Sequence, residues 1–231
     1  MNWKNDYRSF YYETAGDLGD VVLDRKTVAL LVIDMQNRFV KRPSRSALNL
    51  SEQKEGERWT PFYERLQNVV IPQIAKVLSY FRQNHMEVIF AKIACLTQDG
   101  RDRSLSQKKP GWNFNLLPIN SKQADIIDEL RPLSDEIVFC KTTDDVLIST
   151  NLRLILHNLG IKTVIVSGIT TDQCVSSTVR SLADESYEAV VLEDCCAAAT
   201  DELHEWELKI INNIYCNVMS SDDVIQILNK G

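Results

Sequence analysis

Three side chains able to do acid–base or nucleophilic chemistry stand just past strand-like runs. Asp34 follows the apolar run 27–33, Lys141 follows 136–140, and Cys174 follows 163–167 by a short turn. The turn Gly168-Ile169-Thr170-Thr171 leads into a helix whose apolar positions Val175, Val179, Leu182 and Ala183 recur at helical spacing. Cys174 therefore belongs to a helix's first turn. There, unpaired backbone N–H groups and the positive end of the dipole favour an anion, so the thiol is expected to ionise more easily than in water. A carboxylate can take the thiol proton. An ammonium beside both would keep Asp34 ionised and favour the thiolate. The turn would aim backbone N–H groups at a developing oxyanion. Taken singly, a cysteine there is a small buried hydrophobe, the aspartate a cap and the lysine a solvated charge. Their convergence makes a nucleophilic centre.

Delivering three distant residues to one point requires a sheet. The run 27–33 is continuously apolar, as in a strand covered on both faces, and further strands are expected at 88–94, 136–140, 163–167, 189–193 and 215–219. Between them lie helical patterns at 61–84, with Pro72 marking a kink or a second start, at 123–130, at 151–159 closed by Gly160, at 201–213, and from Ser221 to 229. Alternation of this kind predicts an α/β fold, a mainly parallel sheet with helices on both faces. In such sheets ligands bind outside the carboxyl ends of the strands, where strand order reverses, and Asp34, Lys141 and Cys174 all follow a carboxyl end. The polar segment 41–59 reads as a surface loop or insertion. The aperiodic stretch 95–121 is long enough to be a functional wall or lid.

A chain of 231 residues suits one α/β domain, expected over 27–231 behind an aromatic-rich arm, 1–26, that packs on the body or on a second subunit. A net charge of −6 gives no reason to expect nucleic acid or an anionic membrane as partner. Six scattered cysteines form no disulfide framework, and neither a leader pattern nor an 18-residue apolar run occurs, so a cytoplasmic protein is expected. Cys195 and Cys196 beside small alanines read as tight packing, and Asp194 as a hydrogen-bond acceptor at its strand end.

The run Ala29-Leu30-Leu31-Val32-Ile33-Asp34-Met35-Gln36-Asn37, the strand-end Lys141, and Ser167-Gly168-Ile169-Thr170-Thr171-Asp172-Gln173-Cys174-Val175 with Thr178 and Arg180 resemble the isochorismatase-like cysteine hydrolase family. The resemblance runs from about residue 27 onward. It implies a three-layer, six-stranded parallel sheet and a triad of Asp34, Lys141 and Cys174. It also implies a cis peptide between Ile169 and Thr170, an oxyanion hole from the backbone amides of Thr170 and Cys174, and homodimers or homotetramers.

Absences narrow the chemistry. Nicotinamidase-type members resemble this chain in the triad but carry a metal site of an Asp and closely spaced histidines after the first strand. Here only His85, His157 and His204 occur, none in that segment, so no metal or other cofactor is expected. Isochorismatases proper lack the cysteine. The expected substrate is a small amide or ureide of the ureidoacrylate, biuret or N-carbamoyl amino acid type. Trp112 and Phe114 are candidates for an apolar wall, Asn37 or Asn113 for an amide hydrogen bond, and Phe39 for the pocket lining. Thr171 either bonds substrate or caps its helix. A dinucleotide-dependent oxidoreductase is disfavoured because no Gly-x-Gly-x-x-Gly follows the first strand. The alternatives that remain are a non-catalytic binding or assembly module on the same fold and a nicotinamidase-type amidase.

Overall fold

The computed structural model describes residues 4, 6–16, 19–44, 49–109 and 116–230. Six strands, β1 (Val28–Ile33), β2 (Glu87–Ile93), β3 (Ile137–Lys141), β4 (Thr163–Ile169), β5 (Glu188–Ala197) and β6 (Asn217–Met219), pair in parallel in the order β3-β2-β1-β4-β5-β6. The chain first builds outward from β1 through β2 to β3, then crosses to the other flank of β1 for β4, β5 and β6. Strand order reverses between β1 and β4, and this crevice is where such sheets bind ligands.

Every residue of β1 and β4 is buried, which explains their continuous apolar sequences. Alternation assigns the faces. Val28, Leu30 and Val32 enter the core under the helices Thr60–Arg65, Ile71–Gln83 and Ser221–Leu228, while Ala29, Leu31 and Ile33 meet Leu152–Asn158, Ser176–Asp184 and Asp201–Ile211. Cys195 and Cys196 divide in the same way, one into each core, both fully buried. Gly168 has no substitute. It sits opposite Ile33 at φ +116°, and a Cβ there would lie 2.0 Å from the Ile33 carbonyl oxygen.

Several local expectations change. Residues 50–58 of the expected loop are a helix, Leu50–Arg58, because Asn49 and Glu52 form a reciprocal capping box: Asn49 Oδ1 accepts from Glu52 N at 2.9 Å and Glu52 Oε2 from Asn49 N at 2.8 Å. The expected helix at 123–130 is two short 3₁₀ turns, Lys122–Ala124 and Asp128–Leu130. The long helical stretch at 61–84 loosens into a π turn, Leu66–Val70, just before Pro72, whose missing N–H leaves a carbonyl to be accommodated. The last helix, Ser221–Leu228, is capped by Ser220, whose hydroxyl accepts from Asp223 N. Asp194 accepts from Ser221 N and Oγ, the expected acceptor role.

The arm divides. Asn212 Nδ2 donates to the Tyr7 carbonyl at 3.2 Å and the Tyr7 ring packs on the core, whereas Phe10 and Tyr11 stack on each other with about 70% of each exposed. No helix among the described residues is long and apolar enough to cross a membrane.

Candidate active site

Asp34 is the first residue past β1, at φ +56°, a left-handed conformation that aspartate tolerates better than most residues. Its N–H extends the ladder to the Ala91 carbonyl at 2.8 Å. Just beyond, the fully buried Gln36 side chain ties off β2. Its Nε2 donates to the Ile93 and Ala124 carbonyls and its Oε1 accepts from Ile93 N, which fixes the chain direction where Asp34 turns inward. Oδ2 of Asp34 faces Lys141; Oδ1 is buried with no hydrogen-bond partner among the described residues.

Lys141 ends β3, two strand spacings or roughly 10 Å from β1, a gap that only a long side chain can span. Its ammonium is fully buried and uses all three protons: 2.8 Å to Asp34 Oδ2, 3.2 Å to Cys174 Sγ and 3.2 Å to the Thr143 carbonyl. Burial alone would favour the neutral amine, but Asp34 and then Cys174 outweigh it, so the pKa is raised and the charge is held. Burial also pushes the Asp34 carboxyl up, against the opposing pull of Lys141.

Cys174 lies in a π turn, Thr171–Val175, that opens the helix Ser176–Asp184. The expectation of an easily ionised thiol is overturned. Burial pushes the Cys174 thiol well above the usual range, the Asp34 charge adds to this, and Lys141 only partly compensates. Desolvation outweighs what a helix start offers an anion. The sulfur lies 3.7 Å from Asp144 Oδ1. The Ile169–Thr170 peptide is cis, and Thr170 and Cys174 both line the space beside the sulfur.

The segment after β3 is tied to this turn. Thr178 Oγ1 donates to the Cys174 carbonyl at 2.7 Å and accepts from Val146 N at 3.2 Å, while Ser181 bonds Asp145, the cap of the short helix Val146–Ser149. The loop that delivers Lys141 and Asp144 thus cannot shift independently of Cys174.

A cavity of about 830 Å³ opens over these groups. Asp34, Thr170, Gln173 and Cys174 form its floor, and Phe39, Trp59, Phe62 and Tyr63 an aromatic wall. Of the expected substrate contacts among the described residues, only Phe39 lines it. Asn37 turns away: its Nδ2 donates to the Lys122 carbonyl at 2.9 Å, holding the two 3₁₀ turns against β1. Thr171 is fully buried and its hydroxyl meets His204 Nδ1 at 2.7 Å, so it neither faces substrate nor caps its own turn. Trp112, Asn113 and Phe114 lie outside the described residues. Among the described residues the wall comes from 38–63, including the helix Leu50–Arg58, and Gln107 alone of 95–121 reaches the cavity.

Two further groups had no sequence signal beyond their type. Arg65 ends the wall helix and donates to the Cys196 and Glu193 carbonyls at 3.0 and 2.9 Å and to His204 Nε2 at 2.9 Å. A guanidinium can only donate, so Nε2 must accept and Nδ1 carries the proton given to Thr171. Burial and then Arg65 hold the His204 pKa down at about 3, which keeps the ring neutral. The wall helix and the cysteine turn are thereby joined through one imidazole.

A parallel α/β sheet with a cysteine, a carboxylate and an ammonium at its switch point defines a class of nucleophilic hydrolases. The isochorismatase domain model matches residues 28–223, and the chain belongs to the isochorismatase family of hydrolases. It is 31% identical over 179 residues to N-carbamoylsarcosine amidase of Arthrobacter sp, covering 74% of this chain and 67% of that protein. It is 27% identical over 204 residues to ureidoacrylate amidohydrolase RutB of Acinetobacter baylyi, covering 84% and 81%. A solved cysteine hydrolase from Pseudomonas syringae pv. phaseolicola shares the fold with a TM-score of 0.77 at 20% identity, over 94% of this chain and 99% of that one.

Proposed function

We propose that this protein is a cysteine-dependent amidohydrolase that cleaves a C–N bond of a small non-peptide amide or ureide. The observation that carries the reading is the contact of the Lys141 ammonium with both Asp34 Oδ2, at 2.8 Å, and Cys174 Sγ, at 3.2 Å, at the floor of a cavity large enough for a small molecule. Relatives whose names describe amide and ureide cleavage support the bond type.

In the first half-reaction Asp34 takes the Cys174 proton as the sulfur attacks the carbonyl carbon. The carbonyl electron pair moves to oxygen, which the Thr170 and Cys174 amides receive. Because burial raises both the thiol and the carboxyl, proton transfer and attack proceed together rather than from a standing thiolate. Lys141 stabilises the negative charge as it passes between them. When the oxyanion collapses the C–N bond breaks, Asp34 returns the proton to nitrogen, and ammonia or an amine leaves. In the second half-reaction Asp34 takes a proton from water, hydroxide adds to the thioester, and the C–S bond breaks. The sulfur regains the proton and an acid or carbamate departs.

The test is an ammonia- and amine-release screen over primary amides, biuret, ureidoacrylate and N-carbamoyl amino acids. Turnover is expected on at least one, falling by about 10³-fold or more in Cys174→Ala. Wild-type turnover retained in that variant would sink the mechanism.

A further inference from the structure

The sulfur faces a second carboxylate that the proposed chemistry leaves idle. Asp144 sits three residues beyond the end of β3, lines the cavity, and places Oδ1 3.7 Å from Cys174 Sγ. Gln107, nearly buried on the short helix Leu105–Lys108, donates its amide N–H to the same Oδ1 and holds the carboxylate in place. Oδ2 has no hydrogen-bond partner among the described residues. An ionised carboxylate only accepts hydrogen bonds, so the open oxygen calls for an N–H donor or a cation. The charge balance points the same way. Lys141 is matched by Asp34, which leaves Asp144 facing the sulfur with no ion-pair partner among the described residues. Arg42 is spent elsewhere, on the Gly56 carbonyl and Thr60 Oγ1.

We infer that Asp144, set by Gln107, is the specificity-determining residue: it receives an N–H of the amide or ureide group that reacts at Cys174. When the sulfur bonds the carbonyl carbon and the oxyanion turns toward the Thr170 and Cys174 amides, a nitrogen on that carbon comes within reach of Oδ2. The site then takes uncharged or cationic substrates bearing N–H at the reacting carbon, and it rejects those carrying a carboxylate directly beside that carbon. A carboxylate several bonds away, toward the cavity rim, escapes this penalty. The inference rests on the amidohydrolase reading for its meaning as specificity, but its electrostatic content can be read without turnover.

Two alkylating agents of similar size differ in the group beside the reacting carbon: iodoacetamide offers an amide N–H₂, iodoacetate a carboxylate. Their rates at Cys174, read by mass spectrometry of the Cys174 peptide at about pH 9, are compared with the same pair on a free small thiol. The wild-type protein is expected to favour iodoacetamide at least about tenfold more than the free thiol does. Asp144→Asn and Asp144→Ser should bring that preference to within about threefold of the free thiol, and Asp144→Glu should keep most of it. On a cleaved primary amide or ureide, Asp144→Asn should lower kcat/KM by about 10- to 100-fold. An alkylation preference unchanged in both neutral variants overturns the inference even if amides are cleaved. A preference that collapses as expected, in a protein that cleaves no amide or ureide, upholds the recognition at Asp144 and removes the amidohydrolase reading instead.

Discussion

The floor of the cavity and its outer wall are built on different physical terms. The floor is built where strands end: Asp34 follows the central strand β1, Cys174 lies in the turn after β4, and Lys141 reaches beneath both from the edge strand β3; all three are under 10% exposed, and Asp34 and Lys141 are paired. The wall is made of short helices between residues 37 and 65, with a charged rim and with Trp59 about 39% exposed, edge-on to Phe62 at 5.4 Å. Reactivity in this molecule is therefore set by the part that cannot move without breaking the sheet. The space offered to substrate is set by a part that can change with little cost to the fold.

The sharpest way to break that contrast is at the floor. Lys141→Met leaves Asp34 buried without its partner, and loss of about 3–5 kcal/mol of stability is expected, measured by urea unfolding, together with loss of turnover. Adding Asp34→Asn should restore part of the stability and none of the activity. A single variant as stable as wild type would show that the pair does not hold the strand ends.

The joint between floor and wall gives an intermediate effect. His204 titrates near 6.5 when unfolded and at about 3 in the folded protein. Between those values the unfolded chain binds a proton that the native state refuses, so this residue makes stability fall as pH drops from about 6.5 toward 3 and contributes no slope above that window. The raised carboxyls of Asp34 and Glu193 act with the opposite sign in acid, so the informative quantity is the difference between wild type and His204→Gln. The variant's stability should decline less steeply over that window; parallel pH profiles would refute the assignment.

The smallest effect belongs to the wall. Trp59→Ala should cost about 1 kcal/mol or less and leave the slow alkylation of Cys174 within about twofold, while changing relative kcat/KM between large and small substrates severalfold. A stability loss as large as that from Lys141→Met would erase the distinction between the two regions.

Sequence periodicity made the sheet legible because residues buried on both faces must be apolar throughout, as in β1 and β4. It also placed Asp34, Lys141 and Cys174, since a charged or reactive residue after such a run has no packing role. The helix Leu50–Arg58 was hidden because its sequence is almost wholly polar and carries no apolar stripe; only the Asn49 and Glu52 pair announces it. Thr171 and Asn37 were misplaced for a related reason. Their polar side chains lie close in sequence to the reacting groups, but their hydrogen bonds go to His204 and Lys122, 33 and 85 residues away.

What the amino-acid order alone determined is the layered α/β architecture and which three residues its strand ends would present, because both follow from local periodicity and from where that periodicity stops. Only the folded structure decided that burial raises the thiol, that Asp144 faces the sulfur, and that a polar segment walls the cavity. Those outcomes depend on burial and on contacts between distant segments, and desolvation of a group has no value until the chain has closed around it.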